Sequence, residues 1–152
     1  MKIEQLLESA KALPTISKTA SDEYEKKSEV LISAINSMML KRDDLDNLLG
    51  GHIEMMKDNH ANHVRFMSSM FKFYQADVMV ETVLWVFRAY RTHGFKSNYW
   101  STQLNYWTEI LKEELSQESF KEIDTYYHWM IINIPVFVKL ADEQLEDSNR
   151  LT

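Results

Sequence analysis

Apolar residues along this chain fall into blocks whose spacing is that of an α-helix. In the first block Ile3, Leu6, Leu7, Ala10 and Leu13 share one face of a helix over residues 2–13, and Pro14 stops it. Residues 15–20 read as a polar linker. Ser21, followed by Asp22 and Glu23, has the chemistry of an N-cap with acids in the first turn. Its helix runs to about residue 41, with Leu31, Ile35 and Met38 as the stripe, thickened by Val30, Ala34 and Met39. Residues 42–51 predict a break and a short turn of helix ended by Gly50.

A third long helix is expected over residues 52–74. Its stripe is His52, Met56, His60, His63, Met67, Met70 and Tyr74, at steps of three and four. Histidines therefore stand where a helix usually places leucine. Asp77 is the expected N-cap of the fourth helix, whose Val78, Met79, Val80, Val83, Leu84, Trp85, Val86, Phe87 and Tyr90 nearly encircle it and predict burial on several sides. Asp77, Glu81, Arg88 and Thr92 form its polar face.

Gly94 has the position of a left-handed C-terminal stop. Ser97 then caps a fifth helix to residue 115, with Trp100, Leu104, Trp107, Leu111 and Leu115 in one row. Ser116 or Ser119 opens the last helix, to about residue 146, and Pro135 inside it should free the carbonyl of Ile131 and kink it. The expected fold is one all-α domain of six to seven helices. Residues 1–20 form an N-terminal helix and linker, 21–147 the core and 148–152 a frayed tail.

Composition narrows the function classes. The 152 residues include 3 Gly and 2 Pro, too few for the many turns of a sheet protein. No cysteine is present, which excludes disulfides, thiolate metal sites and thiol nucleophiles. The formal net charge of −6 argues against a nucleic-acid surface. Arg88, Arg91, His93 and Lys96 gather near a helix C-terminus, where cations favour the macrodipole. No apolar run approaches the roughly 18 residues of a membrane span, and the N-terminus lacks a basic-then-apolar signal, so a cytoplasmic protein is expected. With three glycines there is no phosphate-cradling loop, and no nucleophile elbow is present, so no enzymatic activity is expected.

Two sets of side chains could carry a site. His60 and His63, three apart, can face one point as metal ligands, with Met56 or Met67 as a soft donor and Asp124 and His128 as donors from the last helix. Against this stands the ordinary reading of interior histidines satisfied by a tyrosine hydroxyl, a carboxylate or water. Trp85, Tyr90, Trp100, Trp107, Tyr127 and Trp129 could line an apolar pocket, or simply fill a core.

The order of helices, and the corner HGFKSNYW at residues 93–100, resemble a globin over roughly residues 50–145. The resemblance implies a ligand space between the third and fourth helices. It also exposes a departure. The place of the family's proximal histidine falls at or near Ala89, no histidine lies in residues 76–92, and His93 comes one turn late, whereas His60 falls near the distal place. The resemblance is thus to sensor-type globin folds that have lost haem, and it implies a regulatory domain, homodimeric through its last two helices. A plain up-down helical bundle is the alternative architecture. The expected function is non-enzymatic sensing or regulation by binding a small apolar ligand or a protein partner, with no cofactor. Pocket candidates are His60, His63, Met56, Met67, Trp85, Tyr90 and Trp107. The alternative is a haem or divalent-metal protein that uses His60 and His63.

Overall fold

The computed structural model describes residues 3–151, and among them every regular element is an α-helix. The order is α1 (Ile3–Lys11), α2 (Lys18–Lys26), α3 (Ser28–Leu40), α4 (Leu45–Leu49), α5 (Ile53–Lys72), α6 (Ala76–Thr92), α7 (Ser97–Glu114), α8 (Gln117–Ile132) and α9 (Ile134–Leu151). The all-α expectation holds. The number of helices, nine among the described residues, exceeds the expected six to seven because two long periodic runs are each divided. Lys2 at the expected start of the first helix, and Thr152 of the expected tail, lie outside the described residues. The backbone of α9 is helical through Leu151.

The first division corrects the reading of residues 15–41. Ser17 is the N-cap, and its hydroxyl accepts from the Ala20 N–H. Ser21 lies one turn inside α2 and is buried, while Ile16 of the supposed polar linker is in the core. Lys27, at φ −88° and ψ 2°, separates α2 from α3. The second division is Asn133, at φ −99° and ψ 4°, so the proline marks a break and not a kink within one helix. Pro135 has no N–H to offer the preceding turn. The buried Asn133 side chain instead donates to the Trp129 carbonyl at 2.8 Å and closes the end of α8.

The corner after α6 has the expected form. Gly94 has φ 94°, its N–H bonds the Arg91 carbonyl at 3.0 Å and the Phe95 N–H bonds the Tyr90 carbonyl at 3.2 Å. These are the two bonds of a Schellman stop, and the Tyr90 and Phe95 rings meet at 5.0 Å as its apolar contact. Gly50 caps α4 at φ 59° and lies against this corner: a Cβ on it would stand 3.3 Å from the Gly94 carbonyl oxygen. The Lys96 N–H bonds the Leu48 carbonyl at 2.8 Å, tying the two corners together.

Two expected caps are not used. Asp77 lies in the first turn of α6, with Gln75 at the cap position, and Ser97 is the first residue of α7, with Lys96 at the cap. Neither cap makes a side-chain bond, so tertiary packing places these starts.

α7 runs through the middle, packed against α8 and α3, with Trp107 fully buried. α5 packs on α3 and α2, whereas α6 packs on α9 and α1. The two helices joined at residues 73–75 therefore turn to different neighbours. α1 is held in place by aromatic donors: the Tyr74 hydroxyl bonds the Ala10 carbonyl at 2.6 Å and the Tyr126 hydroxyl bonds the Pro14 carbonyl at 2.8 Å. The first adds a second bond to a carbonyl that already accepts from the Leu13 N–H, and the second ties down Pro14, which follows the helix. Among the described residues no helix is long and apolar enough to cross a membrane.

Candidate functional site: a cavity between α5, α6 and α7

Because α5 and α6 pack on different partners, a cavity of about 220 Å³ opens between them, closed behind by α7. α5 gives it Asn59, His63, Phe66 and Met67, which step by four, three and one and so share a face. α6 gives Val83, Val86, Phe87 and Tyr90, and α7 gives Trp100, Gln103 and Leu104. Met130 of α8 adds to the wall. Asn62 and Thr82 also line it, and Trp85 lines it while 56% exposed to solvent, so its indole is reachable from outside. That exposure corrects the expectation of an α6 buried on several sides.

Of the seven pocket candidates, His63, Met67, Trp85 and Tyr90 line the cavity. His60, Met56 and Trp107 do not: all three are fully buried and belong to the core beside it. His52, expected on the same stripe, is exposed at the N-cap of α5, its ring 6.1 Å from that of His93. Asn59 and Gln103 were missed by reasoning from apolar spacing. They lie one step off the stripes, yet are 4% and 2% exposed and form the polar part of the wall. A buried amide gives no periodic signal; only the partner across the helix interface makes its burial tolerable.

The buried polar groups form two linked sets. His60 Nδ1 meets Asn36 Oδ1 at 2.6 Å, and since a carbonyl oxygen only accepts, Nδ1 carries the proton. Its Nε2 lone pair then faces the Tyr99 hydroxyl at 3.3 Å. Tyr99 donates to Asn59 Oδ1 at 2.9 Å, and Gln103 Nε2 donates to Asn59 Oδ1 at 2.8 Å and to the Tyr99 oxygen at 3.1 Å. In the second set the Tyr24 and Tyr127 hydroxyls are 2.8 Å apart and Tyr127 is 2.8 Å from His63 Nε2. Each O–H finds an acceptor only if Tyr24 donates to Tyr127 and Tyr127 donates to His63, which puts the His63 proton on Nδ1.

Both histidines are neutral. Burial, and then the nearness of His63, lower His60 to a pKa of about 3, and burial lowers His63 to about 3. Burial pushes the hydroxyls of Tyr99 and Tyr127 well up, so they remain donors. His63 stacks on Trp107 with ring centres 5.0 Å apart, which fixes its plane against the cavity.

These positions do not fit a haem. His60 is sealed away with Nδ1 on Asn36 and Nε2 against the Tyr99 hydroxyl, His63 has its Nε2 on Tyr127, and the facing part of α6 offers Val86, Phe87 and Tyr90. A divalent metal fares no better. Among the described residues no three His, Asp or Glu side chains are grouped to hold an ion, and His128, one of the expected additional donors, is exposed on α8. His60 instead bonds the Asn36 side-chain amide, and His63 the Tyr127 hydroxyl.

No family model matches the sequence, and neither a curated protein nor a solved structure matches it.

Proposed function

We propose that this protein is a non-enzymatic regulatory domain that binds a small, mostly apolar molecule in the cavity between α5, α6 and α7. The observation that carries the reading is the cavity itself, about 220 Å³, walled by Phe66, Met67, Val83, Val86, Phe87, Trp100 and Leu104. An engineered apolar cavity of roughly 150 Å³ binds benzene, so this space suits a substituted benzene. The sensor-globin resemblance supports the same place, since it implies a ligand space between these two helices. It does so without requiring the haem that the histidines do not accommodate.

A ligand here would touch α5 and α6 at once. Those helices belong to different packing groups, α5 with α2 and α3 and α6 with α1 and α9. Binding that favours one spacing of α5 and α6 over another shifts the population between them, and only that difference in affinity can transmit a signal.

Toluene titration tests this. Trp85 and Trp100 both line the cavity, so occupancy changes tryptophan emission. The expected result is saturable binding with a rise in melting temperature, both lost in Val86→Phe, which fills the space. Absence of any saturable change in the wild type overturns the reading.

A further inference from the structure

We infer that the ligand of this cavity is an uncharged molecule with an apolar ring or chain and a single hydroxyl, bound by Gln103 and Tyr90. The inference rests on the binding reading above and adds the chemical class of the ligand.

Asn59 Oδ1 takes two hydrogen bonds, from Tyr99 and from Gln103 Nε2, and so has both lone pairs in use. Gln103 Nε2 spends both of its protons, on Asn59 and on Tyr99. Gln103 Oε1 therefore remains as an acceptor with no donor among the described residues. It is not one of the sealed, unsatisfied atoms of the interior, and Gln103 lines the cavity. An amide oxygen open to the cavity has only water to donate to it until a ligand with a proton to give takes that place.

Tyr90 supplies the complement. Its ring lines the same cavity from α6. Burial raises its pKa, the Asn59 side chain offsetting part of the rise, and the hydroxyl keeps its proton. Asn59 has its oxygen committed and can meet Tyr90 only through its amide N–H, so the Tyr90 O–H is left to donate. A single uncharged oxygen that gives a proton to Gln103 and takes one from Tyr90 is a hydroxyl. An aldehyde or ether only accepts, and an indole N–H only donates.

The absence of charge follows from the wall. None of the cavity-lining side chains is Asp, Glu, Lys or Arg, and His63 is neutral. A carboxylate or ammonium placed here would lose its hydration with no opposite charge to replace it.

The experiment titrates three probes of one shape, toluene, 4-methylphenol and 4-methylbenzoate, into the full chain at pH 7 and reads tryptophan emission and heat. The expected order is 4-methylphenol about tenfold tighter than toluene, with 4-methylbenzoate weaker than toluene. Gln103→Met should bring 4-methylphenol to within about twofold of toluene while toluene affinity holds, which also reports an intact cavity. Tyr90→Phe gives the same narrowing from the other side and stands in if Gln103→Met does not fold. Equal wild-type affinities for toluene and 4-methylphenol, or tight 4-methylbenzoate binding, overturn the hydroxyl inference and leave the cavity reading standing. Failure of both toluene and 4-methylphenol to bind overturns the two together.

Discussion

The Glu23 carboxylate of α2 closes the N-terminus of α8 at Ser116, accepting from the Ser116 backbone N–H and, at 2.9 Å each, from the Ser116 and Ser119 hydroxyls. The arrangement is returned in kind. Glu122 of α8 accepts from the N–H and hydroxyl of Ser17, the N-cap of α2, at 2.7 and 2.9 Å. Each helix thus carries, six residues past its own cap serine, the acid that caps the other. Negative charge at both N-termini also suits the helix dipoles.

Ser116→Ala should cost about 1 kcal/mol, the usual worth of a side-chain N-cap. Glu23→Gln should cost less, since an amide still accepts. Urea midpoints of the two variants check the order. Equal midpoints for wild type and Ser116→Ala would mean that the cap adds nothing to stability.

The pH dependence of this contact has a definite sign. Partial burial pushes the Glu23 carboxyl up, but the bonds from Ser116 and Ser119, with Lys27 nearby, outweigh it, and its pKa lies below the ordinary 4.5. A carboxyl depressed by folding contributes stability that is complete above the unfolded value and is lost as pH falls through the folded one. The urea midpoint difference between wild type and Glu23→Gln should therefore hold from pH 7 to about 5 and shrink below about 4.5.

The histidines act in a higher window. His60 and His63 titrate at about 3 when folded, against 6.5 for the free side chain. The unfolded chain takes up protons below 6.5 that the folded chain refuses, so stability is full above 6.5 and falls as pH drops toward 3. Between pH 6.5 and 5 this loss should be seen before Glu23 contributes. NMR should find both imidazoles neutral at pH 5. A titration of either near 6.5 would contradict the buried networks.

Tyr127→Phe removes the hydroxyl between Tyr24 and His63. It leaves a buried tyrosine O–H and the His63 Nε2 without partners, and should cost about 1–3 kcal/mol. Tyr24→Phe removes only the outer donor and should cost clearly less. A double-mutant cycle on the two tyrosines should show coupling, because they share one bond.

Gly50 and Gly94 differ in what a side chain would meet. Both have positive φ, 59° and 94°, so alanine is strained at either by about 1–2 kcal/mol. At Gly50 a Cβ would also stand 3.3 Å from the Gly94 carbonyl oxygen, whereas at Gly94 the closest atom would be 3.8 Å away. Gly50→Ala should therefore lower the melting temperature more than Gly94→Ala, as calorimetry can check.

Much of this protein was fixed by residue order alone. Spacing of three and four made α5, α6 and α7 helices, and Gly50 and Gly94 set left-handed stops, because these depend on neighbours a few residues away. Ser116 as a cap was legible for the same reason. Ser21, Asp77 and Ser97 were not, since several polar residues in a row offer equivalent caps and packing chooses among them. The stripe on α5 placed His60 and His63 on one side of the helix, but it could not say that His60 would turn to Asn36 and Tyr99 in the core while His63 faced the cavity. Only the tertiary structure decided that. A helix face is a local property; what it meets depends on the separate partners that α5 and α6 take, and that divergence opens the space where Asn59 and Gln103 come together.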